Sequence, residues 1–277
     1  MQQAALQTTH TTVKAPLIWS IVKPIQQKLL VKVFRQVVSN DDLHVFVMKL
    51  YHYGDSFGNA TLRKFAELIQ DPDLKSKVET HYGDEERHAA LFAQRISELG
   101  GTPEFTPAEL SLPLIQSYTA QLELVRSDGL GLSEERSSSG RWLDIPEIIR
   151  VLVFVKGEED QGALFFPAHL KALQALDKDP RTAQILEKIV PDEERHVTYI
   201  GELLEKLKRS GFQADIDEAI KHCRSIRRNL RLPIGEIVST MPAALGDMLH
   251  FRPVGPSMTI VWSCLKGLSA MVRAVRG

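Results

Sequence analysis

Cysteine is scarce in this chain: two residues in 277, Cys223 and Cys264. They lie far apart and form no disulfide framework, so a reducing compartment is the expected setting. No run of about 18 uncharged apolar residues occurs, and no spanning helix is predicted. The first thirteen residues carry no hydrophobic signal core, which predicts a cytoplasmic protein. Acid is missing from residues 1–38, which hold five Lys or Arg. Residues 221–277 hold nine Lys or Arg against Glu236 and Asp247. With a net charge of −1 overall, the centre, 39–220, therefore carries −13. Such ends suit either an anionic partner, such as a lipid surface at the inner face of a membrane, or packing against the acidic centre.

The centre contains one stretch twice. Asp84-Glu85-Glu86-Arg87-His88 recurs as Asp192-Glu193-Glu194-Arg195-His196, 108 positions later. An Asp-Pro pair precedes each copy at the same distance, Asp71-Pro72 and Asp179-Pro180. Each copy holds Glu-x-x-His, and residues i and i+3 share one face of a helix. Two such turns facing inward, with one carboxylate from each of two further helices, make a di-metal site in a four-helix bundle.

The chain reads as helices throughout. Residues 16–38 form a basic amphipathic helix that Pro24 should break or kink. Ser39 to Asp42 is an N-cap cluster opening a helix over about 41–69. Asp71-Pro72-Asp73 turns the chain into a second helix, about 73–99, ending at Gly100-Gly101. Residues 102–140 are a long crossover, helical near 107–126. The third and fourth helices run over about 144–176 and 181–209, the fourth with Pro191 inside it. Gly54, Gly58 and Gly83 each cost about 1 kcal/mol in a helix, which points to close approach or a bulge. Pro191, two residues before Glu193, points to local distortion. A helix at 213–231 ends in a basic run, and Met258 to Arg276 is amphipathic, suited to a membrane surface or to packing. The expected organisation is a basic extension (1–40), the bundle (41–211) and a basic helical extension (212–277).

Each hairpin should add one acid from its first helix. Asp55 lies as far before the first turn as Glu85 lies after it. In the second hairpin Glu159 continues the seven-residue stripe of Leu152, Phe166 and Leu173; Glu158 is the alternative. The position equivalent to Glu159 in the first hairpin is Tyr51, so the halves differ. The expected ligands are Asp55, Glu85, His88, Glu159, Glu193 and His196, with His52 a further alternative and Tyr51 a neighbour packed in the core. Asp84 and Asp192 are placed to accept the outer ring N–H of the histidine on the opposite hairpin. Oxygen and nitrogen ligands without thiolate suit two iron ions, or manganese with iron. Glu86 and Glu194 point about 100° away and should pair with Arg or face water.

These motifs resemble the ferritin-like di-iron carboxylate superfamily, closest to the catalytic subunits of bacterial di-iron monooxygenases. The likeness rests on Asp-Glu-x-Arg-His at 84–88 and 192–196, on Gly54-Asp55 and Gly157-Glu158, and on the acid spacings of 30 and 34. The ribonucleotide reductase small subunit is similar in having Asp at the place of Asp55. The resemblance covers residues 41–209 and implies an all-α bundle of two hairpins joined by a long crossover. It implies an enzyme that activates O2 to hydroxylate or oxidise a small apolar or lipid-like substrate, drawing electrons from a separate protein. Phe57, Phe65, Phe92, Phe154, Phe165 and Phe166 are candidates for an apolar pocket. An iron-oxidising store and a di-iron tRNA hydroxylase are the alternatives. The basic run at 221–231 lacks interleaved aromatics, which argues against nucleic acid. A homodimer and a peripheral membrane contact through the terminal helices complete the expectations.

Overall fold

A computed structural model describes residues 17–112, 115, 116, 119, 122, 130, 132 and 141–229, and for 17–26 and 225–229 the backbone alone. The helices are α1 (Leu17–Val38), α2 (Asp41–Glu67), α3 (Pro72–Glu98), α4 (Pro107–Leu110), α5 (Ile145–Leu176), α6 (Pro180–Arg209) and α7 (Gln213–Asn229). No strand occurs among the described residues. The amphipathic segment 258–276 and most of the crossover lie outside them.

Local chemistry fixes the helix starts. Asn40 accepts from the Leu43 amide, and Asp71 from Asp73 and Leu74, satisfying amides that a helix N-terminus leaves without partners. Asp144 and Glu147 form a capping box at α5. Asp179 caps α6 from a left-handed conformation, φ 42°. Gly100 (φ 81°) and Gly211 (φ 99°) follow the ends of α3 and α6 in backbone that favours glycine.

α2 packs against α3 and α5 against α6, giving two antiparallel hairpins. Each of these four helices contributes to two apolar layers. One layer includes Phe46, Met48, Phe92, Phe166, Leu173 and Leu186. The other includes Leu62, Phe65, Val78, Leu152, Phe154 and Ile200. On every helix the polar residues described below fall between the two sets. Dry layers above and below thus seal a polar middle.

α1 is part of this body: Leu30, Phe34, Val37 and Val38 are buried in the first layer. It runs through Pro24 without a break, because one missing amide costs one hydrogen bond in a helix held by packing. α6 likewise continues through Pro191, so the expected distortion does not interrupt it. Gly83 also departs from expectation. A Cβ there would meet nothing within 4 Å, so no close approach requires it. Among the described residues no helix is long and apolar enough to cross a membrane.

Candidate metal centre

Four carboxylates and three imidazoles converge in the polar middle. Asp55 comes from α2; His81, Glu85 and His88 from α3; Glu159 from α5; Glu193 and His196 from α6. All are buried. Donor atoms of His81, Glu85, Glu159 and His196 lie within 4.8 Å of one another, as do those of Asp55, Glu85 and His88. Glu85 belongs to both groups and joins them. Glu193 Oε1 lies 3.5 Å from His88 Nδ1, on the second side.

The histidines of the two repeats are oriented alike. His196 turns Nδ1 toward Glu159 (3.2 Å) and Glu85 (3.5 Å), and Nε2 toward Asp84 (3.2 Å). His88 turns Nδ1 toward Glu85 (3.8 Å) and Glu193 (3.5 Å), and Nε2 toward Asp192 (3.1 Å). Each Asp therefore reaches the histidine of the other hairpin. With Nε2–H donating outward, Nδ1 keeps its lone pair toward the cluster. The arginines close a ring outside. Arg87 donates to Asp84 (2.7 Å) and to Asp192, and Arg195 donates to Asp84 (2.5 Å) and Asp192 (2.8 Å). Burial alone would raise Asp84, but Arg87, His196 and Arg195 bring it down to about 2.

The interior has the opposite electrostatics. Burial, followed by the charges of Glu85 and Glu159, pushes Asp55 well above the usual carboxylate range. Burial and the neighbouring carboxylates do the same to Glu193. Burial would raise Glu159 too, but the facing imidazoles of His196 and His81 bring it down to about 2. Asp55 Oδ2, Glu85 Oε1, His81 Nε2 and His88 Nδ1 are buried without hydrogen-bond partners. Such atoms are costly to bury, and cations are what oxygen and nitrogen donors of this kind accept. Backbone makes room for the carboxylates. A Cβ at Gly162 would overlap Glu193 Oε2, and one at Gly58 would stand 3.4 Å from Glu85 Oε2. The residues present fit metal ions.

Other expected neighbours stand apart. His52 Nδ1 lies 2.9 Å from the Ala89 carbonyl oxygen, and His52 joins neither donor group. Glu158 accepts from Gln161 at 3.4 Å, rotated away from the donor groups that Glu159 enters. The Tyr51 hydroxyl is buried without a partner, and its ring packs on Phe92 and Phe166. Glu86 pairs with Arg63 at 2.9 Å on the surface, and Glu194 is exposed. Phe65, Phe92, Phe154 and Phe166 fill the core layers; Phe57 and Phe165 are half-buried.

Sequence reasoning missed His81, Tyr199 and the arginine ring. His81 stands four residues before Glu85 on the same helix face, a legible spacing. Arg87 and Arg195 were legible in being identical in both copies.

A ferritin-like domain model matches residues 62–210, which include Glu85, His88, Glu159, Glu193 and His196 but not Asp55. The chain belongs to the ferritin-like family. It is also similar to a 3-demethoxyubiquinol 3-hydroxylase of Alcanivorax borkumensis, 26% identical over 190 residues, covering 68% of this chain and 72% of that protein. No solved structure matches the chain.

Proposed function

We propose that this protein is a non-haem di-iron oxidoreductase that activates O2 to hydroxylate or oxidise a small, apolar or lipid-like organic substrate. The observation that carries the reading is the buried donor set, in which Glu85 joins two groups of ligating side chains inside a sealed bundle. The proposed ligands are Asp55, Glu85, His88, Glu159, Glu193 and His196. Bound iron would supply the O2 reduction that amino-acid side chains lack. Asp84 and Asp192 hold the His196 and His88 rings in place. The two apolar layers keep water from the middle of the bundle. The relative's name, a hydroxylase of a ubiquinol, supports an organic substrate of apolar character.

Hydroxylation consumes O2, two electrons and two protons and yields the alcohol and water, so an electron donor is required. A separate protein is proposed for that role. A homodimer and peripheral membrane contact through the basic ends are further parts of the proposal. Manganese in one position is compatible with the same donors.

The test is metal analysis of protein made in iron-replete medium, with an absorption spectrum of the oxidised form and sizing in solution. About two ions per chain in a small oligomer is the expected result. A 24-subunit shell that accumulates iron would replace this reading with a storage protein, and metal-free protein would overturn it.

A further inference from the structure

We propose that His81 is a third imidazole ligand, so that one of the two metal positions is completed by His81, Glu85, Glu159 and His196, with Tyr199 as its positioning residue. The proposal rests on the di-metal reading above. It adds a ligand outside the repeated pentapeptide.

Three observations carry it. His81 is 1% exposed, and its Nε2 lies 3.2 Å from Glu159 Oε1 and 3.6 Å from Glu85 Oε1, without a hydrogen bond to either. A buried ring nitrogen aimed between two carboxylates is placed as a ligand is placed. Next, Nδ1 lies 2.7 Å from the Tyr199 hydroxyl. With Nδ1–H donating to that oxygen, Nε2 keeps its lone pair toward the cluster, the support that a metal-bound imidazole commonly has. Finally, the His81 ring stacks on His196 with centroids 3.7 Å apart. His81 Nε2 and His196 Nδ1 thereby face the same pair of carboxylates from two different helices, α3 and α6.

The second repeat shows what the position looks like without this role. The residue 108 places after His81 is Ile189, fully buried in an apolar layer. The residue equivalent to Tyr199 is Leu91, and the one equivalent to Glu159 is Tyr51. His81, Glu159 and Tyr199 of one side thus replace Ile189, Tyr51 and Leu91, and in the structure His81 touches both Glu159 and Tyr199. Together they give one metal position two imidazoles where the other has one. The two ions should bind with unequal affinity.

The experiment uses the full chain, wild type and His81→Ile, His81→Gln and Tyr199→Phe, each loaded with Co(II). Proton spectra of the Co(II) protein count exchangeable imidazole N–H signals shifted by the metals, and titration against a chelator gives the affinities. Signals from three imidazoles are expected in the wild type and from two in either His81 variant. One ion should bind at least about tenfold more weakly in those variants, and the other unchanged. Tyr199→Phe should keep three ligands and lose the solvent protection of one N–H. Signals from two imidazoles in the wild type, or unchanged affinities in folded His81→Gln, would overturn the proposal and leave the six-ligand site intact. Wild-type protein that binds no metal would overturn the di-metal reading itself.

Discussion

The His88 ring lies 3.1 Å from the carboxylate of Asp192, a residue of the opposite hairpin. His196 and Asp84 repeat the contact at 3.2 Å. A carboxylate at the outer nitrogen fixes both the tautomer and the aim of the inner one. Asp192→Asn should therefore weaken metal binding by roughly 10- to 100-fold while helical content is kept. Chelator competition measures the first, and circular dichroism the second.

Glu85 stands in both donor groups, so its loss should affect both positions. Glu85→Ala is expected to abolish stoichiometric metal, and His196→Ala to lose it on one side. Tyr51→Phe should retain metal, since that hydroxyl belongs to neither donor group. Metal content by mass spectrometry distinguishes these outcomes.

Two glycines on the helices should respond oppositely to the same substitution. At Gly162 a Cβ overlaps the Glu193 carboxylate, so Gly162→Ala should displace it, lowering metal content and costing about 1–3 kcal/mol. Gly83 faces open space inside α3, and Gly83→Ala should stabilise by about 0.5–1 kcal/mol. Thermal unfolding of the metal-free proteins gives both signs.

At the start of the crossover Lys49 Nζ donates to Glu109 at 2.8 and 3.0 Å in a buried ion pair. Glu109→Ala would leave Lys49 buried without its carboxylate. A loss of about 3–5 kcal/mol is expected in urea unfolding.

Asp55 has its carboxyl pushed up by burial and by neighbouring acids. A raised carboxyl favours the folded metal-free protein below its unfolded value, and the advantage is lost as pH rises through the folded one. Asn imitates the protonated form at every pH. Metal-free Asp55→Asn should thus gain melting temperature over the wild type, and the gain should grow from pH 5 to pH 8. Each kcal/mol corresponds to about 2–4 °C.

Much of this was legible in the sequence because repetition separated signal from chance. The Asp-Pro turns located both hairpins, since Asp71 and Asp179 do cap α3 and α6. The seven-residue stripe through Leu152, Phe166 and Leu173 distinguished Glu159 from Glu158, because the stripe tracks the buried face of α5. His81 was missed because only one hairpin has it, and the comparison of copies that exposed the pentapeptide is blind to unshared residues. The continuity of α1 through Pro24 was missed for another reason. Intrinsic cost argues for a break, but the packing of a long apolar face exceeds the loss of one hydrogen bond.

The ring of Asp84, Arg87, Asp192 and Arg195 crosses between α3 and α6 at the level of the cluster. Parting the hairpins there breaks every cross-hairpin contact of the ring together and strips both imidazoles of their carboxylates. Departure of a bound ion by that route therefore has the activation barrier of opening the bundle. Residence time, more than equilibrium affinity, is what this lacing governs: a loaded protein should shed its ions to a chelator about as slowly as it unfolds.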